Sequence, residues 1–467
     1  MALQQVAAPC AHTLGSTYRK AKNSNSPIEP SLVFWGRRER VSAASGLLSL
    51  GFMLACPLLV VFVHVCIRDF DASVRDAVCE LAALGALDFF LKYTPLPTLE
   101  AGLGYIGWLL FQALLSIALP GKTVTAPPTP GGHRLSYRVN GLNSWIVTLV
   151  AAVTLSVIEV LPLSSVAEHW SGLVAVANVY GILATILGWT KGHLAPSTAE
   201  DRRFSGSLFH DLLSGIELNP RFGRWDLKLY QIGRVGMNSW VIIDLSFAAL
   251  QYQKTGAVTS TMVVAIALHT IYTVDFFINE DWYLSTIDIS HDHFGFSLAW
   301  GPAAWLPMVY TCQTQFLASH AVDLPYWCSA AIFLIGLAGY AIFRSANHQK
   351  YLVRQTNSDC TIWGAKPSVI ESAYTTADGG THKSLLLCSG WWGIVRHPNY
   401  VGDIIFSLCT GLCAGSTHVI PWLYFIFMAT LLIHRALRDE ARCLAKHGVF
   451  WAEYCRRVRW VLIPWVF

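Results

Sequence analysis

Charged side chains are scarce in this sequence. Only 13% of its 467 residues are Asp, Glu, Lys or Arg, about half the roughly 25% of a soluble domain. An ordinary soluble enzyme is excluded on that ground. The 54% hydrophobic content indicates a polytopic membrane protein instead. The net charge of +4 is too small and too dispersed for a nucleic-acid surface, so no nucleic-acid partner is expected. Twelve cysteines are present, but none forms a C-x-x-C pair. A structural metal or disulfide framework is therefore not expected, and Cys409 and Cys413, four apart in an apolar run, read as small core residues. No acid precedes Glu29, while Arg19, Lys20, Lys22, Arg37, Arg38 and Arg40 come before the first apolar run. An organellar transit peptide shares that bias. Without a cleavage pattern, residues 1–42 are expected to be a polar, disordered cytosolic tail before a membrane domain over 43–467. No internal repeat is visible.

What the chain has is long apolar runs, at 44–66, 102–120, 143–163, 171–189, 237–253, 260–279, 297–317, 327–344, 401–415 and 418–434. A bilayer needs about 20 apolar residues per helix. The expectation is an all-α integral membrane protein of about ten transmembrane helices, with a shorter ambiguous segment near 80–92. Basic residues flank both ends, with Arg435, Arg438, Arg442, Lys446, Arg456, Arg457 and Arg459 following the last run. That predicts cytosolic termini and an even number of spans. Polar stretches at 190–236 and 345–386 interrupt the runs. Within the second, the alternation over Ser368–Ser384 around Asp378-Gly-Gly380 predicts a hairpin.

Three stretches carry candidate chemistry. Gly390–Asp403 gathers two tryptophans, Arg396, His397, Asn399, Tyr400 and Asp403. Pro398 suits the first position of a helix. Arg396 and His397 would then stand before a helix N-terminus, which is an anion site in outline, or else an ordinary basic membrane anchor. Thr270–His293 is dense in ionisable groups. Glu280 and Asp281 read as residues of a loop at the membrane boundary, whereas Tyr272 and Asp275 fall inside an apolar run, where ionisable groups face the bundle interior. Asp275, Asp288, His291 and His293 are candidates to line a substrate hydroxyl. The two histidines, two residues apart, diverge on a helix, and no third metal ligand is nominated. In His434–Tyr454, Arg435, Asp439, Arg442 and Lys446 recur at helical steps, and Asp439 should order its neighbouring arginines. With Lys350, Arg354 and Arg396, that stripe offers enough cations for a ligand with several phosphates.

Tyr137-Arg-Val-Asn-Gly141, Gly215-Ile-Glu-Leu-Asn-Pro-Arg221, Phe343-Arg-Ser-Ala-Asn-His-Gln-Lys350, Leu386-Leu-Cys-Ser-Gly-Trp-Trp-Gly393, Arg396-His-Pro-Asn-Tyr400 and His434-Arg-Ala-Leu-Arg-Asp-Glu440 together resemble the membrane sterol reductase family from about residue 130 onward. The first 130 residues match poorly, and Val235 stands where relatives commonly have proline. Trp282–Gly295, with Asp292-His-Phe-Gly295 in place of Asp-Gly-Phe-Gly, and the insert Cys360–Pro367 are similar to the branch that reduces the 7,8 double bond of 5,7-diene sterols.

The resemblance implies a ten-helix bundle whose C-terminal part, about 260–467, holds NADPH. It implies cofactor contacts at Lys350, Arg354, Leu387, Trp392, Asn399, Tyr400, Asp439, Cys443, Lys446, His447 and Tyr454, and a reaction centre lined by Tyr272, Arg435 and Asp439. Expected partners are the sterol, the lipid bilayer and other membrane enzymes of the sterol pathway, in the endoplasmic reticulum membrane. Reducing such a diene requires a proton at carbon 8 and a hydride at carbon 7, and Tyr272 is the candidate acid. The alternatives are reduction of the 14,15 bond, an S-adenosylmethionine-dependent membrane methyltransferase sharing Arg396-His-Pro398, a nuclear-envelope receptor on the same fold, and a non-catalytic sterol sensor.

Overall fold

A computed structural model describes residues 40–375 and 380–466. The expected tail therefore falls, up to residue 39, outside the described residues, as do Asp378 and Gly379 of the expected turn. The principal helices are α1 (Ala43–Asp69), α2 (Leu99–Ala118), α3 (Gly141–Val157), α4 (Trp170–Leu194), α5 (Asn238–Thr255), α6 (Ser260–Ile278), α7 (Tyr326–Gln355), α8 (Pro398–Leu412), α9 (Leu423–His447) and α10 (Val449–Arg457). Each of the ten apolar runs is built on helix. Among the described residues, six helical stretches are long and apolar enough to cross a bilayer: α1, α2, α4, α6, α7 and Ile420–His447. The difference from ten has local causes. α3 has 17 residues and α8 has 15. α5 carries the buried polar residues Asp244 and Gln251. The run at 297–317 is split by a π-helix, Gly301–Tyr310, that contains Pro302 and Pro307; each proline removes a backbone donor.

Strands are few and short. β1 (Lys122–Thr125) pairs antiparallel with β2 (Ser136–Val139). β3 (Val369–Thr375) pairs with β4 (Thr381–Leu387) from Val369↔Leu387 to Thr375↔Thr381, so the expected hairpin forms and its register centres on residue 378.

The chain divides into two compact units. The first comprises residues 40–341 with Gly402–Leu431, the second Ile342–Val401 with residues 432–466. In the first, an apolar core is joined by many buried polar side chains, while further large apolar side chains are exposed. On α1, Leu47, Leu48, Phe52 and Leu54 are exposed, while Ser49 and His64 are buried and His64 bonds Ser171 Oγ at 2.9 Å. Lipid is as apolar as leucine, so interior positions go to groups that gain a partner there.

Charges inside this unit are paired. Glu280, read from the sequence as a boundary-loop residue, is instead fully buried. It accepts from Arg234 at 2.8 Å and from the Gly141 N–H, the first residue of α3, at 2.7 Å. Arg234 also donates to Asn140 at 2.9 Å. Lys191 pairs with Glu217 at 3.0 Å. The Lys228 ammonium donates to three carbonyls, of Asp288, Ile289 and Asp292, at 2.8, 2.8 and 2.9 Å, and burial pulls its pKa down to about 8.

The Gly215–Arg221 motif belongs to this scaffold. Gly215 takes φ +82 and ψ 151, a region open essentially to glycine alone. A Cβ there would lie 2.4 Å from the Phe294 carbonyl carbon, while the Glu217 carbonyl accepts from the Phe294 N–H at 2.9 Å. The motif thus clamps the end of the Trp282–Gly295 segment backbone to backbone. Gly215→Ala is expected to cost about 2–4 kcal/mol, from the strained φ and the overpacking together. It should appear as a clearly lowered Tm of the detergent-purified protein, and an unchanged Tm would show that the clamp is dispensable.

Candidate functional site

All the residues proposed for the cofactor fall in the second unit. Its organising feature is the turn at Gly390, which takes φ +62; a Cβ there would meet Gln349 Oε1 at 2.4 Å. The turn lays two tryptophans on α7. The Trp391 N–H donates to Gln349 Oε1 at 3.0 Å, its indole to Ser345 Oγ at 2.9 Å, and the Trp392 indole to the Ala346 carbonyl at 2.8 Å. The Tyr454 hydroxyl donates to the Trp392 carbonyl at 3.3 Å, tying α10 to the same turn. Leu387 packs with Val353, Ile362 and Trp392, and Cys443 with Ile370, Leu386 and Tyr454.

Over this base stand the cations. Lys350 Nζ lies 4.2 Å from the centre of the Trp392 ring, and Lys446 Nζ lies 3.7 Å from that of Tyr374. Ring faces attract cations without neutralising them. Arg354 and Arg442 lie within electrostatic reach of each other and of both Lys350 and Lys446. Asp439 is the carboxylate paired within the group, accepting from Arg442 Nε at 2.9 Å, and the Cys443 thiol donates to it at 3.7 Å. The helical spacing predicts that Asp439–Arg442 pairing. Arg354 is exposed, and Lys350, Arg442 and Lys446 are half-buried, so a ligand can reach them. His447 is buried and its Nδ1 lies 3.0 Å from Ser372 Oγ on β3. Arg435 lies half-buried on the same face of α9 as Asp439 and Arg442.

The Arg396 region differs from the expected anion cradle. Pro398 does open α8, but the N–H groups of Arg396 and His397 donate to the carbonyls of Trp460 and Val461 at 2.8 and 3.0 Å. The Arg396 guanidinium pairs with Glu440 and donates to Cys455 Sγ at 3.1 Å and the Arg459 carbonyl at 3.0 Å. The C-terminal segment occupies these donors, so Arg396 acts as an internal strut. His397 is buried and stacks on Tyr400 with ring centres 5.0 Å apart and planes at 5°; burial pulls its pKa down to about 4.

Tyr272, Asp275, Asp288, His291 and His293 belong to the first unit. Tyr272 on α6 packs against Trp240 at 5.9 Å and Phe406 at 5.4 Å between ring centres, and Asp403 and Asp275 lie in its electrostatic surroundings. Asp275 accepts from Tyr340 at 2.9 Å and from Asn279 at 3.0 Å. His293 is buried, with Nε2 bonded to the Asp201 carbonyl at 3.0 Å. Asp288 contributes its carbonyl to Lys228. His291 and Asp288 are both half-buried.

A family model described as "Ergosterol biosynthesis ERG4/ERG24 family" matches residues 46–467. The chain belongs to that family. It is 40% identical over 448 residues to a 7-dehydrocholesterol reductase of Xenopus laevis, covering 93% of this chain and 94% of the relative. It is 39% identical over 449 residues to a protein of the same name from Danio rerio, with the same coverage of 93% and 94%. It is also 37% identical over 415 residues to a Delta(14)-sterol reductase of Methylotuvimicrobium alcaliphilum, covering 89% and 93%. The motif-based resemblance is borne out, and this ERG4/ERG24 member is a multi-pass sterol reductase acting on a carbon–carbon double bond. The match also reaches α1, far ahead of residue 130. α1 and α2 are apolar throughout with few polar landmarks, so motif reading had little to catch there.

Reading the sequence alone missed Glu440, Gln349 and Tyr374, and in the first unit Asp244 and His269. The Ala346–Lys350 motif contains Gln349, and Glu440 is an acid within a basic stripe, but their partners lie 42 and 44 residues away. A double-mutant cycle of Arg396→Ala and Glu440→Ala should return a coupling of about 1–3 kcal/mol in unfolding free energy. Strict additivity would remove the strut role from Arg396.

Proposed function

We propose that this chain uses NADPH to reduce the 7,8 double bond of 5,7-diene sterols in the endoplasmic reticulum membrane, with its termini cytosolic. The observation that carries the cofactor reading is the group of Lys350, Arg354, Arg442 and Lys446 gathered around Asp439 between the Trp392 and Tyr374 rings. Such an excess of accessible positive charge suits a ligand with several phosphates. The fit extends to orphaned polar atoms: Asn347 Nδ2 and Asn399 Oδ1 are buried without a hydrogen-bond partner, a state that costs about 1–3 kcal/mol each unless a ligand answers it. Bound NADPH would supply a hydride.

The chain's own residues do the rest. Lys350, Arg354, Arg442 and Lys446 hold phosphate, with Asp439 keeping Arg442 oriented. Trp392, Tyr400, Leu387, Cys443 and Tyr454 shape the slot, and Asn399 and His447 add polar contacts. Tyr272 delivers a proton to carbon 8, leaving a cation at carbon 7 that is allylic through carbons 5 and 6. Electron-rich rings such as Trp240 stabilise a transient cation, and a water-free apolar surround protects it. Asp275, Asp288, His291 and His293 are the proposed sterol-side polar groups.

The choice of bond rests on Asp292-His293-Phe294-Gly295 and on the vertebrate relatives' names. The bacterial relative's name favours a second reading, reduction of the 14,15 bond. Purified protein with NADPH should convert 7-dehydrocholesterol to a product two mass units heavier while leaving a 14-ene unchanged. The reverse preference would establish the second reading. Lys446→Ala and Arg354→Ala should each raise the KM for NADPH about tenfold or more, the scale of a lost charge-assisted contact. An unchanged KM would take that residue out of the phosphate site. Tyr272→Phe should abolish turnover while NADPH still binds, and near-normal activity would remove Tyr272 from the mechanism.

A further inference from the structure

A helix leaves the carbonyls of its last turn without intrahelical partners, and inside a folded protein they must be answered from elsewhere. The one-turn helix Ile287–Ser290 ends in this way. The N–H groups of His291 and Asp292 both return to the Ile287 carbonyl at 2.9 Å. The carbonyls of Asp288 and Ile289, and that of Asp292 just past the end, meet the Lys228 ammonium at 2.8, 2.8 and 2.9 Å. An ammonium has three donors, so Lys228 commits a full set of hydrogen bonds to one short segment. The lysine is itself fully buried, a rare and costly place for that side chain.

Lys228 is fixed from its own side as well. Asp226 caps the turn Leu227–Leu229, its Oδ1 accepting from the Leu229 N–H at 2.8 Å while Oδ2 pairs with Arg221 Nε at 3.2 Å. The Leu227 N–H donates to the Pro220 carbonyl at 2.9 Å, so the lysine is built directly onto the Gly215–Arg221 motif. Leu229 and Ile289 share one buried apolar cluster. At the far end of the segment, His293 Nε2 bonds the Asp201 carbonyl and the Phe294 N–H the Glu217 carbonyl. The stretch 288–294 is therefore held at both ends, with the half-buried His291 between them. Stability alone does not call for a lysine at such a place, because an apolar side chain avoids the desolvation of a charge. What the ammonium adds is a fixed position for three carbonyls.

We infer that Lys228 is a positioning residue for the sterol: by holding the carbonyls of Asp288, Ile289 and Asp292 it sets where the Asp288 and His291 side chains stand. The inference rests on the proposed reading of Asp288, His291 and His293 as sterol-side groups. Lys228 acts through the backbone of the segment and transfers no proton. Its contribution is to substrate fit, since a misplacement of about 1 Å in groups that position a substrate is felt in the reaction.

Lys228→Met in the full-length protein provides the test, keeping much of the side chain's length while losing all three donors. With 7-dehydrocholesterol and NADPH, the sterol KM should rise about tenfold and the NADPH KM stay within about threefold, the scale of lost polar contacts on the sterol side alone. Lys228→Gln is the second variant. Its carboxamide N–H2 can still answer two carbonyls, so the sterol KM should move in the same direction by a smaller factor. A lysine that served stability alone would reduce the active fraction, lowering kcat at unchanged KM for both substrates, and that result would overturn the proposal. Failure of both variants to yield protein that binds NADPH would assign the lysine to the fold and overturn it equally. Asp288→Ala and His291→Ala separate this inference from the reading beneath it. If both leave the sterol KM unchanged, the sterol-side reading fails first. If either raises it while the lysine variants do not, that reading stands and Lys228 is not its support.

Discussion

A charge inside an apolar bundle must be answered locally, and the first unit is arranged around that constraint. Arg234 and Glu280 answer each other, and Glu280 also takes the first N–H of α3. Lys191 and Glu217 do the same where α4 meets the Gly215–Arg221 motif. Removing one partner of such a pair strands the other, at roughly 3–5 kcal/mol. The pairs therefore fix where helices begin and which segments lie together, although each adds little net stability over an apolar substitute. Several motifs that mark the family are parts of this answering network. Asn140 bonds Arg234, and Arg221 lies over the Tyr137 ring while pairing with Asp226.

The second unit departs from that rule in one place. Its Arg396 is answered by Glu440 and a backbone carbonyl, as the rule requires. Lys350 instead faces the Trp392 ring, which is a weak partner, and Lys446 lies over the Tyr374 ring. Charges satisfied by rings remain available to a stronger anion, so this departure, more than any one residue, sets the cofactor proposal apart from a basic membrane anchor. The turn at Gly390 makes the departure possible. It sets the Trp391 and Trp392 rings on α7 at Ser345 and Ala346, four to five residues before Lys350.

The sequence made legible whatever depends on neighbours. Apolar runs became helices because each reports its own surroundings. The β3–β4 register centred on residue 378 because alternation and a glycine pair are local signals. Pro398 opened its helix, and Asp439 met Arg442 three residues on. Partners far apart in sequence were not legible. Glu280 looks like a surface acid until Arg234, 46 residues earlier, is seen beside it. Arg396 looks like an anion-binding arginine until Glu440, Cys455 and the Arg459 carbonyl are seen to take its Nη1 and Nη2 groups. The same limit hid Asp244 and His269, 25 residues apart. Asp244 sits in an apolar run, where one acid is easily taken for a boundary residue.

The two departures from full pairing are of opposite kinds. Around Trp392 there is an excess of positive charge that reaches the surface, which suits a large anion arriving from solvent. Around Trp240 the Asp244–His269 pair is fully buried among Tyr310 and Tyr424, and both His269 Nε2 and the Trp240 indole nitrogen lack a hydrogen-bond partner. Buried nitrogens of that kind offer no surface charge to a large anion. The chemistry of each place follows from how far its charges are answered.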